Sequence, residues 1–234
     1  MEEAALRAAG TWGLNVKGVR ADLAVSGSPE RSEFRCVVEC AEKRLVVLES
    51  IRGRDRERKQ AIIDRLDFLA QNGLSRVNPY LRGPDGRRIV ELDGHLWQAS
   101  PYVMGVPLDR PAYAFEGWRG KLMAQVLLDL RHASQGLPDA RAAKPFSILS
   151  YIDTLSAQIR AREPAVFEKF VPVLSFLKKR LAPVHDMLPV AFCHGDYHPL
   201  NMIWSEDGLL AVIDWEFCGV KPEMYDAALL VGCI

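Results

Sequence analysis

The sequence predicts an α+β fold of two lobes: a mostly antiparallel sheet over residues 1–100, then a mostly helical lobe over residues 101–234. Three observations carry this expectation. Runs rich in β-branched residues alternate with short polar turns in the first hundred residues, helical apolar stripes take over after Pro101, and a crowded polar loop near the end leads into an apolar strand.

The elements follow in chain order. "FRCVVEC" (34–40) and "RLVVLESI" (44–51) read as two strands joined across the polar "AEK". "ERKQAIIDRLDFLAQNG" (57–73) spaces Ile62, Leu66 and Leu69 as one helical face and stops at Asn72-Gly73, a C-terminal cap. "RIVEL" (88–92) and "HLWQAS" (95–100) flank Asp93-Gly94, a two-residue connection suited to a type I′ turn. The first lobe is therefore a sheet with one helix. Beyond Pro101, Trp118, Leu122, Val126, Leu130 and Ala133 form one helical stripe. Phe167, Phe170, Leu174, Leu177 and Leu181 form a second, with Pro164 at the helix start and Pro172 predicting a kink or restart. Both stripes are expected to be core. "LLAVID" (209–214) then reads as a buried strand ending at an aspartate.

Composition narrows the function. The chain has 234 residues, 49% of them hydrophobic and 26% charged, enough to bury a substantial core. Thirty basic residues balance thirty acidic ones, so no global field recruits nucleic acid or an anionic membrane surface. The start "MEEAALRAAG" is acidic and lacks a signal peptide's basic start and apolar core, and no run of about 18 apolar residues appears. A cytoplasmic protein is expected, with no nucleic acid or membrane partner. The five cysteines, 36, 40, 193, 218 and 233, lack paired metal-ligand spacing and read as free thiols.

The chemistry concentrates in "FCHGDYHPLN" (192–201). One reading is a metal site for a hydrolase, because in an extended strand His194, Asp196 and His198 would face one way. Gly195 and Pro199 suit an irregular loop better, and no matching ligand pair stands elsewhere. The other reading is phosphoryl transfer. Kinase catalytic loops place an aspartate after His-x and an asparagine five residues later; the aspartate accepts the hydroxyl proton and the asparagine holds magnesium. His194-Gly195-Asp196 and Asn201 keep that spacing, and Asp214 supplies the second metal carboxylate that nucleotide phosphates require.

Taken together, "HGDYHPLN" and "VIDWEFCGVKPEMYDAALL" resemble the aminoglycoside phosphotransferase and choline kinase-like superfamily, with Glu216 closest to the choline-kinase style. The resemblance implies a protein-kinase-like two-lobed fold and an ATP-dependent, Mg²⁺-dependent enzyme that phosphorylates a small-molecule alcohol. It implies Asp196 as the catalytic aspartate, Asn201 and Asp214 as magnesium ligands, His194 as a structural support and Asp226 as a helix-end or loop brace. In the same alignment Ser26, Gly27 and Ser28 occupy the nucleotide-covering loop. Ser100, Tyr102 and Val103 occupy the hinge that meets adenine; an ordinary turn and a plain strand exit are the respective alternatives from the residues alone. Glu216, Asp153 and Glu223 are carboxylates that would favour a cationic acceptor.

The sequence departs from the family at one position. Where the family's third strand carries a phosphate-contacting lysine paired with a helix glutamate, this chain reads Val47-Leu48-Glu49. A carboxylate facing the cleft would repel phosphate, Arg52 lies on the other strand face, Lys43 is too far along the strand, and the helix offers Gln60 or Asp64. Either Arg31 or Arg35 replaces the lysine, or Glu49 faces solvent, or the chain is a catalytically inactive nucleotide- or metabolite-binding relative. The chain also ends on "ALLVGCI", where the family continues with helices that wall the acceptor pocket, so a C-terminal lobe cut short is expected.

Overall fold

The computed structural model describes residues 1–23, 25, 32–138 and 144–233, apart from the Glu42 side chain. Ser26, Gly27, Ser28 and Arg31 lie outside the described residues. In chain order the elements are α1 (Glu2–Gly10), β1 (Val16–Val19), β2 (Ser32–Cys40), β3 (Leu45–Ile51), α2 (Arg56–Gln71), β4 (Ile89–Leu92) and β5 (His95–Pro101). They continue with α3 (Gly117–Ala133), α4 (Ile148–Arg162), α5 (Pro164–Arg180), β6 (Val190–Cys193), β7 (Met202–Trp204), β8 (Leu209–Val212), β9 (Gly219–Pro222) and α6 (Tyr225–Gly232).

The first five strands form one antiparallel sheet in the order β1-β2-β3-β5-β4. Both expected hairpins are present. β2 and β3 pair across the 3₁₀ turn Ala41–Lys43, and β4 and β5 turn at Asp93-Gly94 with φ values of 53° and 76°. Two successive positive φ values are what a type I′ connection demands, and Asp and Gly tolerate them best.

One helix of this lobe is an addition to the sequence reading. α1 lays Ala5, Ala8 and Ala9, all fully buried, on the sheet with Val38, Val46, Leu48 and Trp97. Alanines three and four apart share a helix face, and their short side chains let backbone and sheet approach closely. Among the described residues the first lobe therefore carries two α-helices.

α2 joins the lobes. Its Ile62, Leu66 and Leu69 enter a core with Met123, Val126 and Leu130 of α3 and with Tyr197, Trp204 and Trp215 from the second half. Its Ile63 packs with Ile51, Ile89 and Leu96 of the sheet, and since burying each such aliphatic side chain is worth about 1.5–3 kcal/mol, the helix is anchored to both halves. The α3 stripe is core as expected in its Val126, Leu130 and Ala133, while Trp118 and Leu122 stand at its edge.

The α5 stripe is not core. Neither α4 nor α5 contains a buried residue, and Phe170 and Phe176 are 46% and 62% exposed. Phe167, Leu174 and Leu177 face only a shallow hollow shared with Leu149 and Ile152 of α4. An apolar stripe tells which side of a helix avoids water, not how much structure lies over it. α5 begins with Pro164 in its first turn and runs through Pro172 as one helix, without a restart.

The second half ends in two small antiparallel ribbons, β6 with β9 and β7 with β8. No helix among the described residues is long and apolar enough to cross a membrane.

Candidate active site

Between the sheet and the second half lies a cleft of about 700 Å³, lined from above by Val47, Glu49 and Ser100 and from below by Asn201, Asp214 and Trp215. The segment after β5 crosses its back. Gly105 passes so close to β7 that a Cβ would stand 2.4 Å from Ile203 Cγ2 and 2.8 Å from the Trp204 carbonyl oxygen. Only glycine fits there, and the Val106 N–H then donates to the Trp204 carbonyl at 2.8 Å.

Ser100, Tyr102 and Val103 all line the cleft where a hinge was expected. The Tyr102 N–H is spent on the Leu45 carbonyl at 3.0 Å. Asn78 braces the same stretch by donating Nδ2 to the Pro101 carbonyl at 2.9 Å.

The polar loop after β6 is irregular rather than extended, and buried contacts over-determine its shape. Gly195 has φ 87°, and a Cβ there would meet the Phe217 carbonyl oxygen at 2.1 Å and Lys221 Cε at 2.6 Å. Asp226, 3% exposed at the start of α6, accepts both the His194 N–H (2.6 Å) and the Gly195 N–H (2.8 Å). Burial raises the Asp226 carboxyl above its ordinary value, and the two N–H groups oppose that shift. Asp226 is a loop brace, as the resemblance implied.

His194 is fully buried, donates Nε2–H to the Ile213 carbonyl (2.9 Å) and receives the Asp196 N–H on Nδ1 (3.2 Å). Desolvation pushes its pKa down to about 4, so the ring is neutral. Tyr197, also fully buried, donates its hydroxyl to the Met123 carbonyl at 2.8 Å, and Trp204 Nε1 donates to the Pro199 carbonyl at 3.1 Å.

These supports present two side chains. Asp196, with about a third of its side chain exposed, receives the Asn201 Nδ2 on Oδ2 at 2.9 Å. The same Nδ2 also donates to the Asp196 carbonyl at 2.9 Å, so the Asn201 oxygen is turned away from Asp196. The Ile213 N–H bonds the Asn201 carbonyl at 2.9 Å, which sets Asp214 one residue beyond that contact. Asp214 itself is left-handed, with φ 60° and ψ 57°. Two oxygen donors thus reach the cleft wall from adjoining backbone segments, an arrangement suited to a hard divalent cation that takes its remaining ligands from phosphate and water.

The hydrolase reading fails on this geometry. Both nitrogens of His194 are engaged with backbone, His198 Nδ1 accepts the Leu200 N–H at 3.3 Å, and no three His, Cys, Asp or Glu side chains assemble as a metal cage among the described residues. His198 Nε2 stands 3.6 Å from Asp196 Oδ1 instead.

Glu49 also differs from one of its expected readings: it does not face solvent but is 5% exposed. Its Oε1 accepts from Arg35 Nη2 at 2.8 Å and its Oε2 from Gln98 Nε2 at 2.6 Å, with Lys59 Nζ at 3.8 Å. Lys59 of α2, 1% exposed, also contacts Glu216, whose other oxygen meets Arg58 Nη1 at 2.9 Å. Lys59 escaped the sequence reading. Its signal was present, since positions 59, 62, 63 and 66 share one helix face and a lysine there sits on the apolar side. Glu216 is enclosed by Lys59 and Arg58, and Glu223 is paired with Arg131.

Residues 33–233 match the sequence profile of the Phosphotransferase enzyme family, and the chain belongs to that family. Ethanolamine kinase 2 of Mus musculus is 30% identical over 132 residues, which cover 53% of this chain and 33% of that protein. The chain therefore spans about a third of the length of this curated relative. Among solved structures, spectinomycin phosphotransferase APH(9)-Ia in complex with ADP and spectinomycin superposes with a TM-score of 0.67 at 13% identity, covering 96% of this chain and 71% of that one. Amicoumacin kinase hAmiN, in complex with AMP-PNP, Ca²⁺ and Ami, gives a TM-score of 0.61 at 14% identity, covering 99% of this chain and 69% of that one. The fold is the protein-kinase-like one, a five-stranded antiparallel sheet over a helical half.

Proposed function

We propose that this member of the phosphotransferase enzyme family is a small-molecule kinase that transfers the γ-phosphate of ATP to a substrate hydroxyl. The nucleotide lies under the sheet lobe of residues 1–100, and the acceptor approaches from the lobe of residues 101–234. Asp196 is the catalytic residue, Asn201 and Asp214 hold Mg²⁺, and the backbone of Ser100, Tyr102 and Val103 lines the adenine end.

The observation that carries this reading is the hydrogen bond from Asn201 Nδ2 to Asp196 Oδ2 at 2.9 Å, on a cleft that also receives Asp214. It fixes the Asp196 carboxylate by its Oδ2 and leaves Oδ1, 3.6 Å from His198 Nε2, to orient the acceptor hydroxyl and take its proton. The same bond spends the Asn201 Nδ2 on Asp196, so the Asn201 oxygen would be available to help hold a divalent cation. When bound, the cation neutralises phosphate charge; the protein's own contribution is positioning, because a loose phosphoryl transition state asks for little covalent help. The buried supports under the loop keep that geometry without reorganisation during reaction.

The acceptor is a small alcohol. The mouse relative is named for ethanolamine, and the structural neighbours are named for spectinomycin and amicoumacin. Glu49, one of the two features that favoured an inactive relative, is paired with Arg35 and lies 3.8 Å from Lys59, which supports the active reading at that position.

The test is Mg²⁺-dependent ADP release across a panel containing ethanolamine, choline, spectinomycin and other aminocyclitols, beside AMP-PNP binding by calorimetry. Asp196→Asn is expected to lower kcat by about 10² to 10⁴-fold and leave AMP-PNP affinity within a few-fold. Wild-type protein that neither binds AMP-PNP nor turns over any acceptor would sink the assignment.

A further inference from the structure

The kinase reading needs a cation for the nucleotide's phosphates, and β3 offers a carboxylate in the place where one was expected. We propose that Arg35, on the neighbouring strand β2, receives the phosphates and that Glu49 is its positioning residue. This rests on the nucleotide reading above.

Arg35 and Glu49 are directly opposed in the β2–β3 register, so their side chains leave the sheet on the same face, and both line the cleft that holds Asp214. Glu49 is fastened at both oxygens, by Arg35 and by Gln98 of β5. It cannot swing outward without breaking buried contacts.

Charge balance decides what the cleft presents. Three cations, Arg35, Lys59 and Arg58, meet three carboxylates, Glu49, Glu216 and Asp55, so Glu49 carries no unbalanced negative charge into the cleft. Exposure then decides which cation meets the ligand. The Lys59 side chain is 1% exposed and wedged between the two glutamates, whereas the Arg35 side chain is 24% exposed. Arg58 is more open, but it is engaged by Asp55 and Glu216 and does not line the cleft.

Arginine also suits the double task chemically. A planar guanidinium with five donors can hold a carboxylate along one edge and phosphate oxygens along another; an ammonium is a single point charge. The family's lysine–glutamate pair is thus reversed here, with the acid on β3 and the lysine on α2. The reversed lysine is sealed inside and the phosphate contact moves one strand over.

Calorimetry with two probes tests this. AMP-PNP with Mg²⁺ senses phosphate contacts, and adenosine senses only the rest of the cleft. Arg35→Ala is expected to weaken AMP-PNP about tenfold or more, the usual loss for one charge-assisted contact, and to leave adenosine within twofold. Arg35→Lys should recover part of the AMP-PNP affinity, and Glu49→Gln should lose less than Arg35→Ala. If Arg35→Ala keeps AMP-PNP within twofold of wild type, the inference is wrong while the kinase reading stands. If both probes weaken together in Arg35→Ala and Arg35→Lys alike, Arg35 is only a structural brace and the inference is equally wrong. Wild-type protein that binds neither probe overturns the kinase reading and the inference together.

Discussion

The two walls of the cleft are built on different principles. Below, the loop from His194 to Asn201 is held by neutral hydrogen bonds to backbone and by one buried carboxylate, with Asp196 meeting Asn201, His194 meeting Ile213 and Gly195 meeting Asp226. Above, the contacts are ionic, with Lys59 meeting Glu216 across 157 residues and Glu49 meeting Arg35 from the next strand. A wall of directed hydrogen bonds fixes atom positions and tolerates no change of shape. A wall of shared charges requires only that the sum be right, so it can be rearranged, and here the acid and the base have exchanged elements.

That contrast can be broken most severely at Gly195. Gly195→Ala forces a Cβ into the Phe217 backbone at a positive φ, two penalties that the hydrogen-bonded wall cannot relax. A destabilisation of about 3–5 kcal/mol in chemical denaturation is expected, on the scale of other strained or overpacked buried sites. A change below about 1 kcal/mol would mean that the lower wall is as adaptable as the upper one.

Acid should act on the lower wall as well. His194 has a folded pKa of about 4 against an ordinary 6.5, because its charged form is buried. Its contribution is therefore complete above pH 6.5 and is lost as the pH falls toward 4, at about 1.4 kcal/mol per pH unit and about 3 kcal/mol in all. Asp226, raised by burial, works in the opposite sense at the acid end of that window. Denaturation midpoints between pH 7.5 and 4.5 should fall accordingly, and the slope should flatten in His194→Gln; an unchanged slope would place the acid-sensitive group elsewhere.

The smallest effect sharpens the comparison at the upper wall. Glu49→Lys, which restores the family's residue at that strand position, puts a third ammonium or guanidinium beside Arg35 and Lys59 and should weaken both stability and Mg-ATP binding. Adding Lys59→Glu restores the sum of charges with the elements exchanged. A double-mutant cycle for the two changes should show a favourable coupling of about 1–3 kcal/mol. Additive losses would show that positions, not totals, govern this wall.

The same contrast explains what was legible beforehand. The spacing of His194, Asp196, Asn201 and Asp214 is a local property, and so is the Asp93-Gly94 turn, whose positive φ values follow from the two residue types. Both could be read directly. The neutralisation of Glu49 depends on which faces of β2, β5 and α2 meet in space, and only the misplaced lysine on an apolar helix face hinted at it. α1 was missed because alanines carry little apolar weight in a pattern. α5 was given to the core because periodicity records an apolar side without recording its cover. The nucleotide-covering loop expected at Ser26, Gly27 and Ser28 falls outside the described residues.

The left-handed backbone of Asp214 governs how its role can be probed. At φ 60° and ψ 57°, alanine would add conformational strain of about 1–2 kcal/mol to the loss of the carboxylate, and an affinity change would mix the two. Asparagine occupies that region with little penalty and keeps an oxygen while removing the charge. Glycine keeps the backbone shape and removes the oxygen as well, at the cost of a looser unfolded chain. The pair Asp214→Asn and Asp214→Gly therefore separates the charge of this side chain from its oxygen at one backbone geometry, which an alanine substitution would blur.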